Sequence, residues 1–199
     1  MANQGKLLEL KRCPHCSVDC PHLRYMDECM TKDHTEIFQR IWVMYACTRC
    51  GGVITACSEE GSPYIVEMHP KSLEVEEAIP DRAREYLEQA ISSISAPAGA
   101  IMLAASSVDA MLKEKGLNSG KLYSRINLAV EEHLITKEMS EWAHEVRLDA
   151  NNQRHSDNSS TLPTSDDAKK AIDFVQALGT FLFVLPARVK RGLANAKSS

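Results

Sequence analysis

The spacing of apolar residues changes near Pro80 and divides the chain into two parts. Before Pro80, three runs rich in β-branched and aromatic residues are separated by Gly-Gly and Gly-Ser-Pro turns, a pattern typical of short strands. These runs cover residues 37–46, 53–57 and 64–68. After Pro80, apolar residues recur about every 3.6 positions, which predicts helices. We therefore predict an α+β fold that is mainly α, with a small antiparallel β domain followed by a helical bundle.

Five helical segments are predicted in the second part of the chain. Asp81, Pro97 and Ser165 begin the first, second and fifth, Thr136 caps the fourth, and Leu122, Ile126 and Val130 mark the third after an Asn-Ser-Gly turn. The fifth segment is expected to run to Pro186. Short connections join the first four segments, which favours antiparallel packing of neighbouring helices. The connection over residues 151–165 is longer and almost without apolar residues, so we expect an irregular and functional loop there.

Charge and composition exclude several classes of protein. The chain of 199 residues has a net charge of −4, and residues 58–80 contain six acidic residues, one lysine and three prolines. Such a stretch is typical of a boundary between domains. No segment has the strong basic excess of a dedicated duplex-DNA binder. No apolar run approaches the roughly 18 residues of a membrane-spanning helix, and the N-terminus lacks the apolar core of a secretory signal. We therefore expect a soluble, cytoplasmic protein with no membrane partner.

The cysteines indicate a metal site. All seven lie in the first 57 residues, and in a reducing compartment such clustered thiols favour metal ligation over disulfides. Two CxxC pairs stand out, and Gly51 and Gly52 follow the second pair directly. Each CxxC turn presents two thiolates, so two turns complete the tetrahedral site that structural zinc prefers. The sequence predicts a zinc ribbon whose Zn²⁺ ligands are Cys13, Cys16, Cys47 and Cys50. Substitute ligands, or a second partial site, could come from Cys20, Cys29, Cys57, His15, His22 and His34, and no role is assigned to these residues.

A polar motif near the end of the fourth helix carries a family resemblance. Arg147, Asn151 and His155 form the pattern R-x-x-x-N-x-x-x-H. Before it stand P-x-x-A-x-E-Y-L-x-x-A and an Ala-rich helix; after it stand Thr164, Asp167, Ala168 and a final Leu-Pro-Ala-Arg. This order resembles domain-of-unknown-function family 4145, over about residues 80–189. That family is similar to the HEPN helical domains of bacterial conflict systems, toxins and RNA-targeting nucleases.

The resemblance implies a HEPN-like bundle that dimerises and acts on RNA in a bacterial or phage defence or toxin setting. Active HEPN proteins are metal-independent endoribonucleases. By this resemblance His155 is the acid/base that moves the ribose 2′-hydroxyl proton, while Arg147 holds the scissile phosphate. Asn151 is expected to fix the turn that brings these two residues together. Residues 181–185 are apolar almost all round the last helix, which also favours a homodimer.

A second interpretation stays open beside the nuclease. Asn151 would then end the fourth helix and His155 would anchor the loop by a hydrogen bond, without any chemistry. The protein would be a non-catalytic adaptor whose zinc ribbon and helices bind protein partners. Both interpretations share one predicted organisation: a zinc ribbon over 1–72, an acidic linker over 73–79, the helical bundle over 80–189 and a flexible basic tail over 190–199.

Overall fold

The structure is a computed structural model that describes residues 7–71, 74–154 and 161–197. The chain divides into two compact units, Met1–Leu73 and Glu74–Ser199, which we call the β unit and the helical unit. The β unit contains a four-stranded antiparallel sheet, and the helical unit contains the helices. The structure therefore confirms a fold that is mainly α, with a small antiparallel sheet preceding the helices.

The sheet of the β unit is a simple meander in the order β1-β2-β3-β4. Its strands are β1 (Leu23–Lys32), β2 (Gln39–Cys47), β3 (Val53–Glu59) and β4 (Ile65–His69). One sheet face forms the core of the unit through Val43, Tyr45, Ile54 and Ala56, all of which are buried. Strands β2, β3 and β4 overlap the three runs predicted from the sequence. Strand β1 was not predicted, because it is an edge strand in which Leu23 alone is buried.

The first five helices of the helical unit begin where the apolar period predicts them. They are α1 (Asp81–Ser92), α2 (Pro97–Glu114), α3 (Leu122–Glu131), α4 (Lys137–Arg154) and α5 (Ser165–Gly179). Helix α2 packs against α1, α3, α4 and α5, and its small buried residues Ala100 and Ala104 allow close approach. As predicted, Thr136 caps α4 by accepting a hydrogen bond from the Met139 amide at 3.2 Å.

Helix α4 continues further than the sequence suggested. Asn151 and Asn152, expected to end the helix or form a turn, are both helical, and α4 ends at Arg154. Asparagine has a weak helix propensity, but Val146 and Ala150 on the inner face of the same helix are buried in the core. Packing of this face outweighs the local preference and carries the helix through both asparagines.

The C-terminal helix also extends beyond its predicted end. A π-helical turn (Thr180–Val184) follows α5 and leads directly into α6 (Leu185–Lys197). Pro186 was expected to end the helix because a proline ring clashes with the carbonyl one turn earlier. The wider π turn lies immediately before Pro186, where it relieves that clash. Residues 190–197, predicted as a flexible tail, are helical and rich in alanine, lysine and arginine, which favour helix.

Part of the predicted acidic linker belongs to the helical unit. Ile79 is 2% exposed and packs into the helical core, where its side chain lies against Gly179. Val75 is partly buried against the same core, and Glu76 forms an ion pair with Arg188 at 3.2 Å. The residues that precede α1 are therefore held by apolar and ionic contacts and do not act as a free spacer.

One helix in the described part of the chain has the length and composition of a membrane span. It is the continuous helix Ser165–Ala196, which contains α5, the π turn and most of α6. Its first half is core, since Ile172, Val175 and Leu178 are fully buried inside the bundle.

Candidate functional site

The four cysteines predicted as metal ligands come together in the β unit. The sulfur atoms of Cys13, Cys16, Cys47 and Cys50 all lie within 4.8 Å of one another. The Sγ atoms of Cys13 and Cys50 are 3.9 Å apart. A tetrahedral zinc ion with Zn–S bonds of about 2.3 Å requires sulfurs about 3.8 Å apart, so the cluster fits one such ion. These cysteines can hold a metal ion.

Two turns of similar design present these thiols. The residue after each CxxC pair has a positive φ, 56° at Ser17 and 73° at Gly51. The amide of Ser17 donates to the carbonyl of Cys13, and the amide of Gly51 donates to that of Cys47, each at 2.8 Å. The next amide in the second turn, Gly52, points at the Cys50 sulfur at 3.4 Å. Amide donors aimed at sulfur stabilise the thiolate form that a metal needs.

His15 joins the two turns without belonging to the cysteine cluster. Its Nε2 lies 2.8 Å from the carbonyl oxygen of Val53, just beyond the second CxxC turn. The imidazole also lies directly against Gly52, where a β-carbon would come within 2.4 Å of His15 Cδ2. Glycine at position 52 is therefore required for this contact.

The thiols of the cluster ionise at different pH values in the metal-free protein. Burial raises the pKa of Cys13 to about 12. At Cys47 burial also acts to raise the pKa, but hydrogen bonds from the amides of Cys50 and Arg49, together with those of the Cys13 and Cys50 thiols, outweigh it and lower the pKa to about 7. A bound cation would favour the thiolate form of both residues and displace their protons.

The remaining cysteines do not extend the cluster. Cys20 and Cys29 are exposed, while Cys57 is buried and donates to the carbonyl of Ser58. Within residues 7–71, 74–154 and 161–197, the four-cysteine cluster is the one group of His, Cys, Asp and Glu side chains placed to hold a metal.

A second candidate site is a cleft of about 630 Å³ in the helical unit, bounded by residues of α1, α2, α3 and α4. Its lining is basic, although the whole chain is acidic. The cationic lining residues are Arg82, Lys113, Lys121, Arg125 and Arg147, and the acidic ones are Asp109 and Glu114. Two tyrosines, Tyr86 and Tyr123, supply aromatic surface. The volume lies in the range of ordinary ligand sites.

Arg147 and Tyr123 form the most distinctive contact of the cleft. The guanidinium of Arg147 lies over the Tyr123 ring, 5.3 Å from its centre. The Nε of Arg147 is buried and has no hydrogen-bond partner in the described part of the chain. Tyr123 is 54% exposed, so much of its surface stays open to a ligand. The pair therefore presents a cation and an aromatic surface side by side.

His144 supports the same tyrosine from α4. Its ring centre lies 4.9 Å from that of Tyr123, and its Nε2 lies 3.0 Å from the side-chain oxygen of Asn127. Burial lowers the pKa of His144, and the positive charge of Arg147 lowers it further. Neutral His144 donates its Nε2 proton to Asn127 and keeps Tyr123 in place.

Asp109 is neutralised by two cations in the cleft wall. Arg125, which is 9% exposed, donates to one carboxylate oxygen of Asp109 and to the carbonyl of Asn118. Lys113 contacts the other carboxylate oxygen at 2.6 Å. Because both oxygens are engaged, the charge of Asp109 does not oppose an anion entering the cleft.

The structure places two of the three residues of the predicted Arg-Asn-His motif. Arg147 and Asn151 lie one turn apart on α4, and both line the cleft. His155 lies outside the described residues. Tyr123, Arg125 and His144 were not predicted from the sequence as site residues. The one signal for Tyr123 in the sequence was its position directly after Leu122, which faces inward on α3.

Comparison with known proteins identifies the helical unit. The family model described as "Domain of unknown function (DUF4145)" matches residues 86–195, more than half of the chain. Among curated proteins and among solved structures, none matches the chain. The matched segment contains Tyr123, Arg147 and Asn151, and it begins after the cysteine cluster. The chain belongs to the DUF4145 family.

Proposed function

We propose that this protein binds RNA in the cleft of the helical unit and that its β unit is a zinc ribbon held by a structural Zn²⁺. The observation that carries the RNA proposal is the Arg147–Tyr123 pair in a cleft lined by five cationic and two acidic residues. The cysteine cluster supports the zinc proposal, because four thiols this close together suit a Zn²⁺ ion, and four thiolate ligands leave no open position for catalysis.

The charges of the cleft favour a phosphate-bearing ligand. Asp109 is already balanced by Arg125 and Lys113. Among the described residues, none places a carboxylate within ion-pair distance of Arg82, Lys121 or Arg147. These cations are therefore available to phosphate groups, which supply most of the affinity of nucleic-acid binding.

The aromatic surface favours a single strand over a duplex. Unpaired bases stack on exposed tyrosine rings and on guanidinium planes, whereas bases inside a duplex are not accessible to them. Asn151 lies one turn from Arg147 and offers both a donor and an acceptor, as recognition of a ribose 2′-hydroxyl requires. Together these groups favour RNA over single-stranded DNA.

Cleavage of the bound RNA is the finer part of the proposal. In it, Arg147 holds the scissile phosphate, and His155, the next residue after the described end of α4, moves the 2′-hydroxyl proton. Because Asn151 is helical, its role is contact with the ligand and not the formation of a turn. The order of Arg147, Asn151 and His155 resembles family 4145, and the similarity of that family to HEPN endoribonucleases supports this step and a defence or toxin setting in bacteria or phages.

The same resemblance supports a homodimer built on the helical unit. Leu182 and Val184 are buried in the core of their own chain, whereas Phe181 is 41% exposed and free to contact a second copy. Light scattering of the full chain should give about twice the monomer mass of 22.1 kDa. Phe181→Asp should return it to the monomer mass. A monomeric wild type at micromolar concentration would exclude this part of the proposal.

RNA binding is tested by fluorescence anisotropy with a labelled single-stranded RNA. Arg147→Ala and Tyr123→Ala should each weaken binding by about tenfold or more, the scale of one lost stacking contact or charged contact. Lys170→Ala is the matched control, because Lys170 is an exposed cation of α5 that does not line the cleft. Equal affinity of the wild type and Arg147→Ala, or tighter binding to duplex DNA, would contradict the proposal.

The adaptor remains the second candidate, and one observation favours it. The edge strand β1 and the turn before β2 expose Met26, Met30, Ile37 and Phe38. An edge strand with exposed apolar side chains can accept a strand from another protein. If the protein is only an adaptor, the cleft variants bind partner protein as the wild type does, and Phe38→Asp abolishes that binding.

A further inference from the structure

Helix α6 projects from the bundle without an apolar partner. None of the described side chains from Leu185 to Ala196 is buried, although the preceding α5 lies in the core. Most exposed apolar side chains of a small protein occur singly, whereas these belong to one element. The projecting helix therefore has a surface that the helical unit itself does not use.

The exposed face of α6 has a regular apolar stripe. Leu185, Val189 and Leu193 recur every fourth residue and are 46%, 61% and 60% exposed. On an α-helix this spacing confines the three side chains to a sector of about 80°. Leu185, Val189 and Leu193 thus form one continuous strip along the helix.

Cations border this stripe on both sides. By helical geometry, Lys190 lies about 60° beyond Leu193, and Arg188 lies about 60° before Leu185. Arg191 adds a further positive charge, and no acidic residue occurs in the sequence after Asp173. Arg188 pairs with Glu76, but Lys190 and Arg191 have no acidic partner among the described residues. The surface is therefore apolar along its centre and cationic at its edges.

We propose that α6 lies on an anionic lipid bilayer, with Leu185, Val189 and Leu193 in the apolar boundary and Lys190 and Arg191 at the headgroups. Helices of this composition bind in the plane of the membrane interface. Anionic lipid attracts each lysine or arginine that lies near the membrane surface. This binding is independent of the RNA proposed for the cleft.

Two other occupants suit this surface less well. A second copy of the helix would bring like charges together, and three half-exposed aliphatic side chains offer far less than the roughly 800 Å² per partner of a stable dimer. RNA would use the cations but leave the apolar stripe in water. Crossing the bilayer is also excluded for the folded protein, because α5 is packed against α2 in the bundle.

Vesicle co-sedimentation of the full chain tests the proposal. The probes are vesicles of phosphatidylcholine mixed with phosphatidylglycerol, compared with vesicles of phosphatidylcholine alone. We expect binding to the anionic vesicles and release by high salt. The double variant Val189→Asp/Leu193→Asp should bind at least about tenfold more weakly. Lys190→Gln should reduce binding about fivefold, as loss of one surface cation requires.

Leu162→Asp is the matched control, because Leu162 is 83% exposed in the same unit but lies outside α6. It should bind vesicles as the wild type does. RNA affinity and the thermal melt, measured on every variant, show that the cleft and the fold are intact. Unchanged vesicle binding by the double variant, equal binding to neutral vesicles, or a wild-type dimer that the double variant dissociates would each overturn the proposal.

Discussion

The imidazole of His15 fills the volume that a side chain at position 52 would occupy, because a β-carbon on Gly52 would lie 2.4 Å from His15 Cδ2. His15 follows Cys13 by two residues, and Gly52 follows Cys50 by two. The contact between them therefore packs the two CxxC turns against each other. The register of the turns is therefore set by a packing contact as well as by the sulfurs.

Gly52→Ala should destabilise the β unit. The new methyl group has to displace an imidazole that is held at the Val53 carbonyl, and such overpacking costs about 1–3 kcal/mol. Urea denaturation in a Trp142→Phe background, where Trp42 in β2 is the remaining tryptophan, should show a lower midpoint by fluorescence. Gly99→Ala is the control, because no atom lies within 4 Å of a β-carbon there. An unchanged midpoint for Gly52→Ala would show that His15 moves aside freely.

Cys47→Ser should remove the metal. We expect one zinc per chain in the native protein, and its loss together with unfolding of the β unit in the variant, because metal binding supplies folding energy to so small a domain. Elemental analysis and circular dichroism measure the two effects. Cys29→Ser, in the exposed strand β1, should keep both metal and fold. Zinc-free native protein, or a Cys47→Ser variant with full metal content, would contradict the assignment.

His144 should make the stability of the helical unit depend on pH. Burial, with a smaller effect of Arg147, lowers its pKa in the folded protein below 6.5. The unfolded chain therefore binds a proton at His144 more readily than the folded chain does. The contribution of neutral His144 to the free energy of unfolding is present above pH 6.5 and is lost as the pH falls towards the folded pKa. In His144→Gln, the urea midpoint measured by circular dichroism should change less between about pH 7.5 and about pH 5.5 than it does in the wild type. His34 is exposed, so His34→Gln should leave the pH dependence of the urea midpoint unchanged.

The chemistry proposed for the cleft predicts cleavage that survives EDTA and leaves 2′,3′-cyclic phosphate ends. Arg147→Ala should lower the rate by about 100-fold, as expected for one lost donor to the transition state. His155→Ala should abolish cleavage without changing the thermal melt. Incubation of native and metal-stripped protein with total RNA is the first measurement. Cleavage that needs magnesium, or that persists in His155→Ala, would exclude this mechanism, and its complete absence would favour the adaptor.

The sequence was sufficient for the elements whose signals are local. Pro80, Pro97 and Thr136 mark helix starts, and each helix begins directly after or at the expected residue. The two CxxC pairs likewise predicted the four sulfurs that come together. In these cases the residues that determine the structure are close in sequence, or belong to a recurring metal-binding pattern.

Features that depend on distant contacts were not predicted. Strand β1 has few buried residues and is held by its backbone pairing with β2, which its own sequence does not reveal. The helical state of Asn151 depends on the burial of Ala150 in the core. The Arg147–Tyr123 pair joins α4 to α3, and no spacing within either helix indicates that these two side chains meet.

The π turn at Thr180–Val184 has an evolutionary consequence. A π turn contains one residue more than an α-helical turn, so it is equivalent to an insertion into a regular helix. Because the wider turn takes up that extra residue, α6 faces the same way as it would after an α-helical turn one residue shorter. Deleting one residue of the π turn would therefore leave Val189 and Leu193 pointing in their present direction, whereas the same deletion inside α6 would rotate everything beyond it by about 100° around the axis. A single codon can thus be lost at the π turn without redirecting the C-terminal helix or altering the bundle that carries it.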